Sequence, residues 1–195
     1  MTRASVSALG FALVLAAATA AASQAPAAGG GQGRGRGPAA PACATLSCDI
    51  LADWQRTAQQ IIAIADKMPE DKWGYKSTPA QRSYGEQVMH IVQTDVRFIG
   101  ALGGKTPAPT IDANAAANKA ASMAALRQSF AYGEAVVKEF NDQQWLERIG
   151  GMFMGPSVAR LRVLYFDMGH SQDIYGQMAV YLRLNGLVPP ASDRP

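Results

Sequence analysis

Apolar residues recur every three or four positions in four separate stretches of this chain, and this spacing limits the fold more than any other feature. Such a period places apolar side chains on one face of an α-helix. The helices are predicted over residues 50–68, 84–102, 119–140 and 158–185. Because no alternating strand pattern has comparable strength, the sequence predicts an all-α four-helix bundle, with long connections before and after the second helix.

Residues that commonly cap helices stand where three of these stretches begin. Ser83, followed by Glu86 three residues later, forms a capping-box pattern at the second helix. Asn118 and Ser157 are expected to cap the third and fourth helices. Gly186 is expected just beyond the end of the fourth helix, where glycine is favoured.

The first 42 residues differ in composition from the rest. Arg3 precedes an uncharged apolar run over residues 8–22, a pattern typical of a secretory signal peptide. The run is short for an uncleaved anchor, which needs about 20 apolar residues. We expect a signal peptide over residues 1–23 and a disordered Ala/Gly/Pro linker over residues 24–42. The bundle domain is expected over residues 43–192, in a periplasmic or secreted protein without a stable membrane anchor after cleavage.

The chain carries little excess charge. Its formal charge is +3, and removal of Arg3, the only charged residue of the expected signal peptide, leaves +3 − 1 = +2. Because Lys and Arg are not clustered, we expect no nucleic-acid partner. The expected partner is a small molecule of unknown identity. The loop Met152-Phe153-Met154 could pack on the bundle, close over a pocket or make a homodimer contact.

The chain has two cysteines, Cys43 and Cys48. Disulfides persist in the oxidising spaces that exported proteins reach. Two cysteines five residues apart diverge within one helix, but they can meet if Cys43 lies in irregular chain. The sequence therefore leaves the disulfide open.

The two histidines, His90 and His170, each fall in the middle of a predicted helix. Imidazoles from facing helices can converge on a metal inside a bundle, and neutral imidazole binds zinc, nickel or iron. Asp167 lies one turn before His170 and is a candidate third ligand, although it could equally lie at the surface or bond to a tyrosine or arginine. One turn after His170 stands Ile174, which cannot bind a metal.

Two runs of residues resemble a known family. They are R-S-Y-G-E-Q-V-x-H over residues 82–90 and H-x-x-D-I-Y-G-Q-x-x-V-Y-L-R-x-N-G-x-V-P-P over residues 170–190. Through them the chain resembles the DinB-like four-helix bundles, a superfamily of metalloenzymes. The resemblance implies a metal held by one histidine of the second helix and two of the last. His90 and His170 match two of these positions, and Ile174 occupies the third.

Relatives with known chemistry include thiol-dependent transferases and isomerases, whose thiols belong to the cytoplasm rather than to an exported protein. Two functional expectations follow. The chain could be a bundle with a degenerate metal site that binds a small ligand or partner. Alternatively, it could be a divalent-metal-dependent hydrolase or transferase that uses His90 and His170 with Asp167 or water. No catalytic residue is predicted, and whether the chain is an enzyme stays open.

Overall fold

The computed structural model of the protein describes residues 43–112 and 114–193, and helices dominate this part of the chain. The predicted signal peptide and linker lie outside the described residues. The helices are α1 (Leu46–Lys67), α2 (Tyr84–Ala101), α3 (Lys119–Val137), the short α4 (Asp142–Leu146) and α5 (Arg160–Leu184). Two-residue strands β1 (Arg148–Ile149) and β2 (Val158–Ala159) pair antiparallel between α4 and α5. Short 3₁₀ turns cover Glu70–Lys72, Ala115–Ala117, Met152–Met154 and Pro190–Ser192.

The four long helices form the predicted all-α bundle, in which α1 and α2 both pack against α3 and α5. Contacts between side chains give the helix directions. The Gln87 amide donates to the Gln177 amide oxygen at 2.8 Å, while Phe98 packs on Phe166, so α2 and α5 are antiparallel. Helices α2 and α3 run parallel, because Ser129 bonds Asp95 and Tyr132 lies beside Gly100. The chain between them must therefore travel the length of the bundle, as the long predicted connection requires.

Trp54 anchors the contact between α1 and α3. Its indole nitrogen donates to the Phe130 carbonyl oxygen at 3.1 Å, so the one polar atom of a buried ring is satisfied. The ring lies against Gly133, where a Cβ atom would stand 2.0 Å from it. Glycine at this position therefore lets the large ring enter the core.

The helix caps confirm two of the three predictions. At α2 the Glu86 amide donates to the Ser83 hydroxyl, and the Ser83 amide donates to the Glu86 carboxylate at 2.6 Å. Asn118 accepts from the Ala121 amide and caps α3. After the end of α5, Gly186 has a φ of +71°, as expected for a glycine that follows a helix.

The predicted cap at Ser157 is wrong. Helix α5 begins at Arg160, and Ala159 precedes it without a side-chain hydrogen bond. The Ser157 hydroxyl instead accepts from the Arg148 guanidinium. Strand pairing holds residues 158 and 159 in extended conformation, so the helix cannot start earlier.

The predicted end of the third helix is also too late. Helix α3 ends at Val137 rather than at residue 140. Asn141, expected to terminate it, starts the next helix instead, because its side chain accepts from the Gln144 amide at 3.0 Å and forms a capping box.

Cys43 and Cys48 form a disulfide. Cys43 precedes α1 and Cys48 lies in its first turn, so the two residues do not share a helix and their Cα atoms stand 5.4 Å apart. Asp142, the first residue of α4, accepts hydrogen bonds from the Leu46 and Ser47 amides and so satisfies two free amides in the first turn of α1. Within residues 43–112 and 114–193, no helix has the length and apolar character needed to span a membrane.

Candidate functional site

The structure brings His90 and His170 together, on α2 and α5. Their Nε2 atoms lie 3.1 Å apart, with ring centroids 5.0 Å apart and ring planes at 85°. The antiparallel packing of the two helices places these residues at the same level of the bundle. Both side chains are half-buried, so one edge of the pair remains open to solvent.

A cleft of about 520 Å³ opens beside His90. Residues of the segment before α2, among them Lys76, Gln81 and Arg82, form one wall. His90 and Gln93, from the second and third turns of α2, also line the cleft. Such a volume is typical of small-molecule sites. Sequence reasoning noted Arg82 only as part of a family motif, and its place at the cleft depends on how the preceding loop folds.

Both imidazoles favour the neutral form. Burial is the main cause that lowers the pKa of each, and the nearby positive charge of Arg82 lowers both further. His170 lowers the pKa of His90, whereas Asp173 partly offsets the effect on His170. Neutral imidazoles can share one hydrogen between their Nε2 atoms, or present lone pairs to a metal ion.

The geometry of the pair fits two positions of a divalent metal. With each nitrogen about 2.0–2.1 Å from zinc, a separation of 3.1 Å between the nitrogens gives an N–metal–N angle of about 100°. Ile174, where the resemblance implies a third ligand, is buried at 2 % exposure. Within the described part of the chain, no three His, Cys, Asp or Glu side chains form a group that could hold a metal. Within the described residues the pair thus accounts for two candidate ligands, fewer than the three protein ligands usual in a catalytic zinc site.

Asp167 does not join the histidines in such a group. Its side chain is 0 % exposed, and neither carboxyl oxygen has a hydrogen-bond partner among the described residues. The expectations of a surface position, or of a bond to tyrosine or arginine, are therefore wrong. Burial raises the pKa of Asp167 to about 8, so the side chain is mostly uncharged at neutral pH.

Asp95 is a buried carboxyl residue to which sequence reasoning gave no role. It lies on α2 at 0 % exposure, 3.1 Å from the Ser129 hydroxyl and 3.4 Å from that of Ser171. Burial raises its pKa well above the usual range, and the charge of Asp167 raises it further. The available signal was its position: Asp95 continues the apolar stripe of α2, between Val92 and Phe98, where a carboxyl group is unusual.

The loop Met152–Met154 lies away from the cleft beside His90. The Phe153 ring packs against Phe98 and Phe166, with centroids 6.0 and 4.9 Å away. The loop contributes no residue to the lining of that cleft. The structure therefore shows this loop packed on the bundle, while the homodimer contact stays a prediction.

Comparison with known proteins agrees with this fold. A DinB-like protein of Bacillus subtilis is similar over 75% of this chain and 99% of its own, at 19% identity and a TM-score of 0.59. A DinB-like protein of Bacillus cereus is similar over 72% of this chain and 93% of its own, at 22% identity and a TM-score of 0.62. No curated protein sequence matches the chain. The sequence model of the DinB family matches residues 43–195, and the chain therefore belongs to the DinB family.

Proposed function

We propose that this protein binds a small molecule in the cleft beside His90, and that its histidine pair retains weak affinity for a divalent metal. The observation that carries the proposal is the 3.1 Å separation of the two Nε2 atoms, one of which belongs to His90, a lining residue of an open cleft of about 520 Å³. A lone buried histidine pair with no opening would have only a structural role. Here a ligand in the cleft can reach His90, and the half-buried His170 ring lies directly behind it.

The metal affinity is expected to be weak because the protein supplies two ligands. The remaining positions would be filled by water or by the bound molecule. Ile174, at the position where the family resemblance implies a third ligand, carries an aliphatic side chain that is buried in the core. The outcome is a degenerate form of a three-ligand site, in which ligand binding does not require the metal.

A divalent-metal-dependent hydrolase or transferase is the second candidate function. The observation in its favour is that the same cleft leaves room beside the pair for water and substrate. A metal held by His90 and His170 would supply Lewis-acid activation. Asp167 contributes little to this candidate, because it is fully buried and uncharged at neutral pH.

The decisive experiment is a titration of the chelator-treated protein with zinc and with nickel, followed by calorimetry and by the melting temperature. A metal that binds the native state alone raises the melting temperature. We expect weak, saturable binding that disappears in His90→Ala and in His170→Ala. Gln93→Ala, which changes a neutral residue of the same cleft, should retain it. Sub-micromolar affinity in the unaltered protein would contradict the degenerate site and favour the hydrolase or transferase.

Ile174→His tests whether the geometry of a three-ligand site is preserved. If it is, the substitution should tighten zinc binding by about two orders of magnitude, because it completes the ligand set. Ile174→Asn is a matched control that adds polarity without an imidazole. Equal affinity in the two variants would show that position 174 does not face the pair.

We also propose that the protein is exported to the periplasm or secreted. The apolar run over residues 8–22 and the Cys43–Cys48 disulfide support this location, since disulfides persist in oxidising compartments. The test is mass spectrometry of the N-terminus after expression with the full sequence. A chain that begins near residue 24 in the extracytoplasmic fraction supports the proposal, and an intact N-terminus in the cytoplasm contradicts it.

A further inference from the structure

The residues that line the cleft beside His90 carry an excess of positive charge. Arg82 and Lys76 supply two positive charges to its lining, and Glu86 supplies one negative charge. Lys76 lies 3.5 Å from the Glu86 carboxylate, so these two charges offset each other. Arg82 is exposed and forms no ion pair within residues 43–112 and 114–193. One guanidinium charge therefore remains uncompensated at the cleft.

The negative charge of Glu86 is not available to neutralise Arg82. Its carboxylate accepts the Ser83 amide at 2.6 Å as part of the capping box of α2. This hydrogen bond is the main reason that the pKa of Glu86 is lowered, which keeps the carboxylate charged and engaged with the helix terminus. Because the cap also fixes the helix start, Glu86 cannot turn toward the guanidinium without breaking it.

The backbone of Arg82 is held in place. The Tyr181 hydroxyl of α5 donates to the Arg82 carbonyl oxygen at 2.7 Å, and the next residue, Ser83, is the N-cap of α2. The side chain thus extends from a fixed point between two helices. Because the backbone is already fixed, a ligand has to order only the side chain of Arg82.

The field of Arg82 reaches the histidine pair. Its charge lowers the pKa of both His90 and His170, in each case after burial as the main cause. A guanidinium group forms paired hydrogen bonds with carboxylate and phosphate oxygens. The amide groups of Gln81 and Gln93, which also line the cleft, can donate further hydrogen bonds to such oxygens.

We propose that the ligand of this cleft carries an oxyanion group, a carboxylate or a phosphate, which pairs with Arg82 while the rest of the ligand extends toward His90. This inference rests on the ligand-binding role proposed above and names the chemical class of that ligand. It does not depend on the metal, because Arg82 and the cleft amides are available with or without one.

The test uses chelator-treated protein and two probes, inorganic phosphate and succinate, with binding followed by the NMR signals of the two imidazoles. We expect saturable shifts of both imidazoles for at least one probe. Saturation by phosphate alone or by succinate alone supports the proposal and tells the two oxyanion sources apart. The absence of saturation with both probes, at concentrations up to the millimolar range, overturns it.

Two arginine variants make the test specific. Arg82→Gln should weaken binding of the probe by about tenfold or more, and Arg82→Lys by less, because lysine keeps the charge but loses the paired donors. Arg97→Gln is the matched control: Arg97 is also exposed, lies further along α2 and does not line the cleft. If Arg82→Gln and Arg97→Gln weakened binding equally, the loss would come from the change in net charge rather than from pairing with Arg82, and the proposal would be overturned. Zinc titration of Arg82→Gln separates this outcome from failure of the metal site, since the variant keeps both histidines.

Discussion

Helices α2 and α5 bring together two pairs of titratable residues, one beside the cleft and one inside the core. His90 and His170 form the first pair; both side chains are half-buried, and His90 lines the open cleft. Asp95 and Asp167 form the second, with both side chains at 0 % exposure. The same two helices thus place one pair within reach of a ligand and keep the other away from water.

Burial shifts the pKa values of the two pairs in opposite directions, and in both pairs it favours the neutral form. It lowers the pKa of both imidazoles and raises the pKa of both carboxyl groups. In each pair the neutral form is favoured, because a low-dielectric interior disfavours charge of either sign. The pairs differ in access: a ligand can reach the imidazoles, whereas the two carboxyl groups are closed off from solvent.

The hydrogen bonds around Asp95 agree with a protonated carboxyl group. The Ser129 hydroxyl lies 3.0 Å from the Leu126 carbonyl oxygen and 3.1 Å from Asp95 Oδ2. One hydroxyl hydrogen can serve only one of these acceptors at a time. If Ser129 donates to Leu126, a protonated Asp95 can donate to the Ser129 oxygen, and both contacts are satisfied.

The largest effect that we predict is a loss of stability at alkaline pH that originates in the aspartate pair. The native state keeps Asp167 protonated up to about pH 8, whereas in the unfolded chain the group ionises near pH 4. Between these values the native state binds more protons, so the free energy of unfolding falls as pH rises. We expect a decrease on the order of 4 kcal/mol between about pH 5 and about pH 9, measured by urea unfolding.

Asp167→Asn should reduce this decrease, because asparagine keeps the shape but cannot ionise. Asp95→Asn combined with Asp167→Asn should remove most of it. Asp173→Asn, on the exposed face of the same helix, should leave the decrease above neutral pH unchanged, because Asp173 acts on His170 and not on the aspartate pair. If Asp167→Asn and Asp173→Asn showed the same slope against pH, the buried carboxyl groups would not be its source.

Features with a local cause could be predicted from the sequence. The cap at Ser83 depends on residues within one turn, and the position of Gly186 depends on the end of its own helix. The four stripes of apolar residues predicted the bundle because each helix must bury one face. The convergence of His90 and His170 was expected from two facing helices of a bundle and from the family resemblance. The structure brings the rings together, while their role in metal binding stays a prediction.

Features that depend on distant residues could not be predicted. The start of α5 is determined by pairing with β1, and the Arg160 guanidinium, which donates to the Leu102 carbonyl oxygen at 2.9 Å, holds that start against the end of α2. Asp95 meets its partners Ser129 and Ser171 only when α3 and α5 are packed in register. No pattern along the chain shows which residues of two other helices will face one aspartate.

A smaller effect is expected from the serines that surround Asp95. Ser129→Ala should lower the free energy of unfolding at neutral pH by about 1 kcal/mol, the typical contribution of one hydrogen bond. Ser171→Ala should have a smaller effect, because its hydroxyl lies 3.4 Å from Asp95 rather than 3.1 Å. Both can be measured by urea unfolding. Equal losses in the two variants would indicate that the longer contact is as strong as the shorter one.

The smallest effect concerns the histidine pair at acidic pH. In chelator-treated protein, NMR titration should give both imidazoles a pKa below the usual 6.5, so the stability that they contribute is present above that pH and is lost as pH falls. The change is smaller than for the aspartates because both rings are half-exposed and solvent screens their charge. Arg82→Gln should raise the pKa of both rings, since Arg82 lowers both, while Arg97→Gln should not. Unchanged values in Arg82→Gln would mean that burial and the interaction between the two rings keep the pair neutral, and that the positive charge at the cleft does not reach the imidazoles.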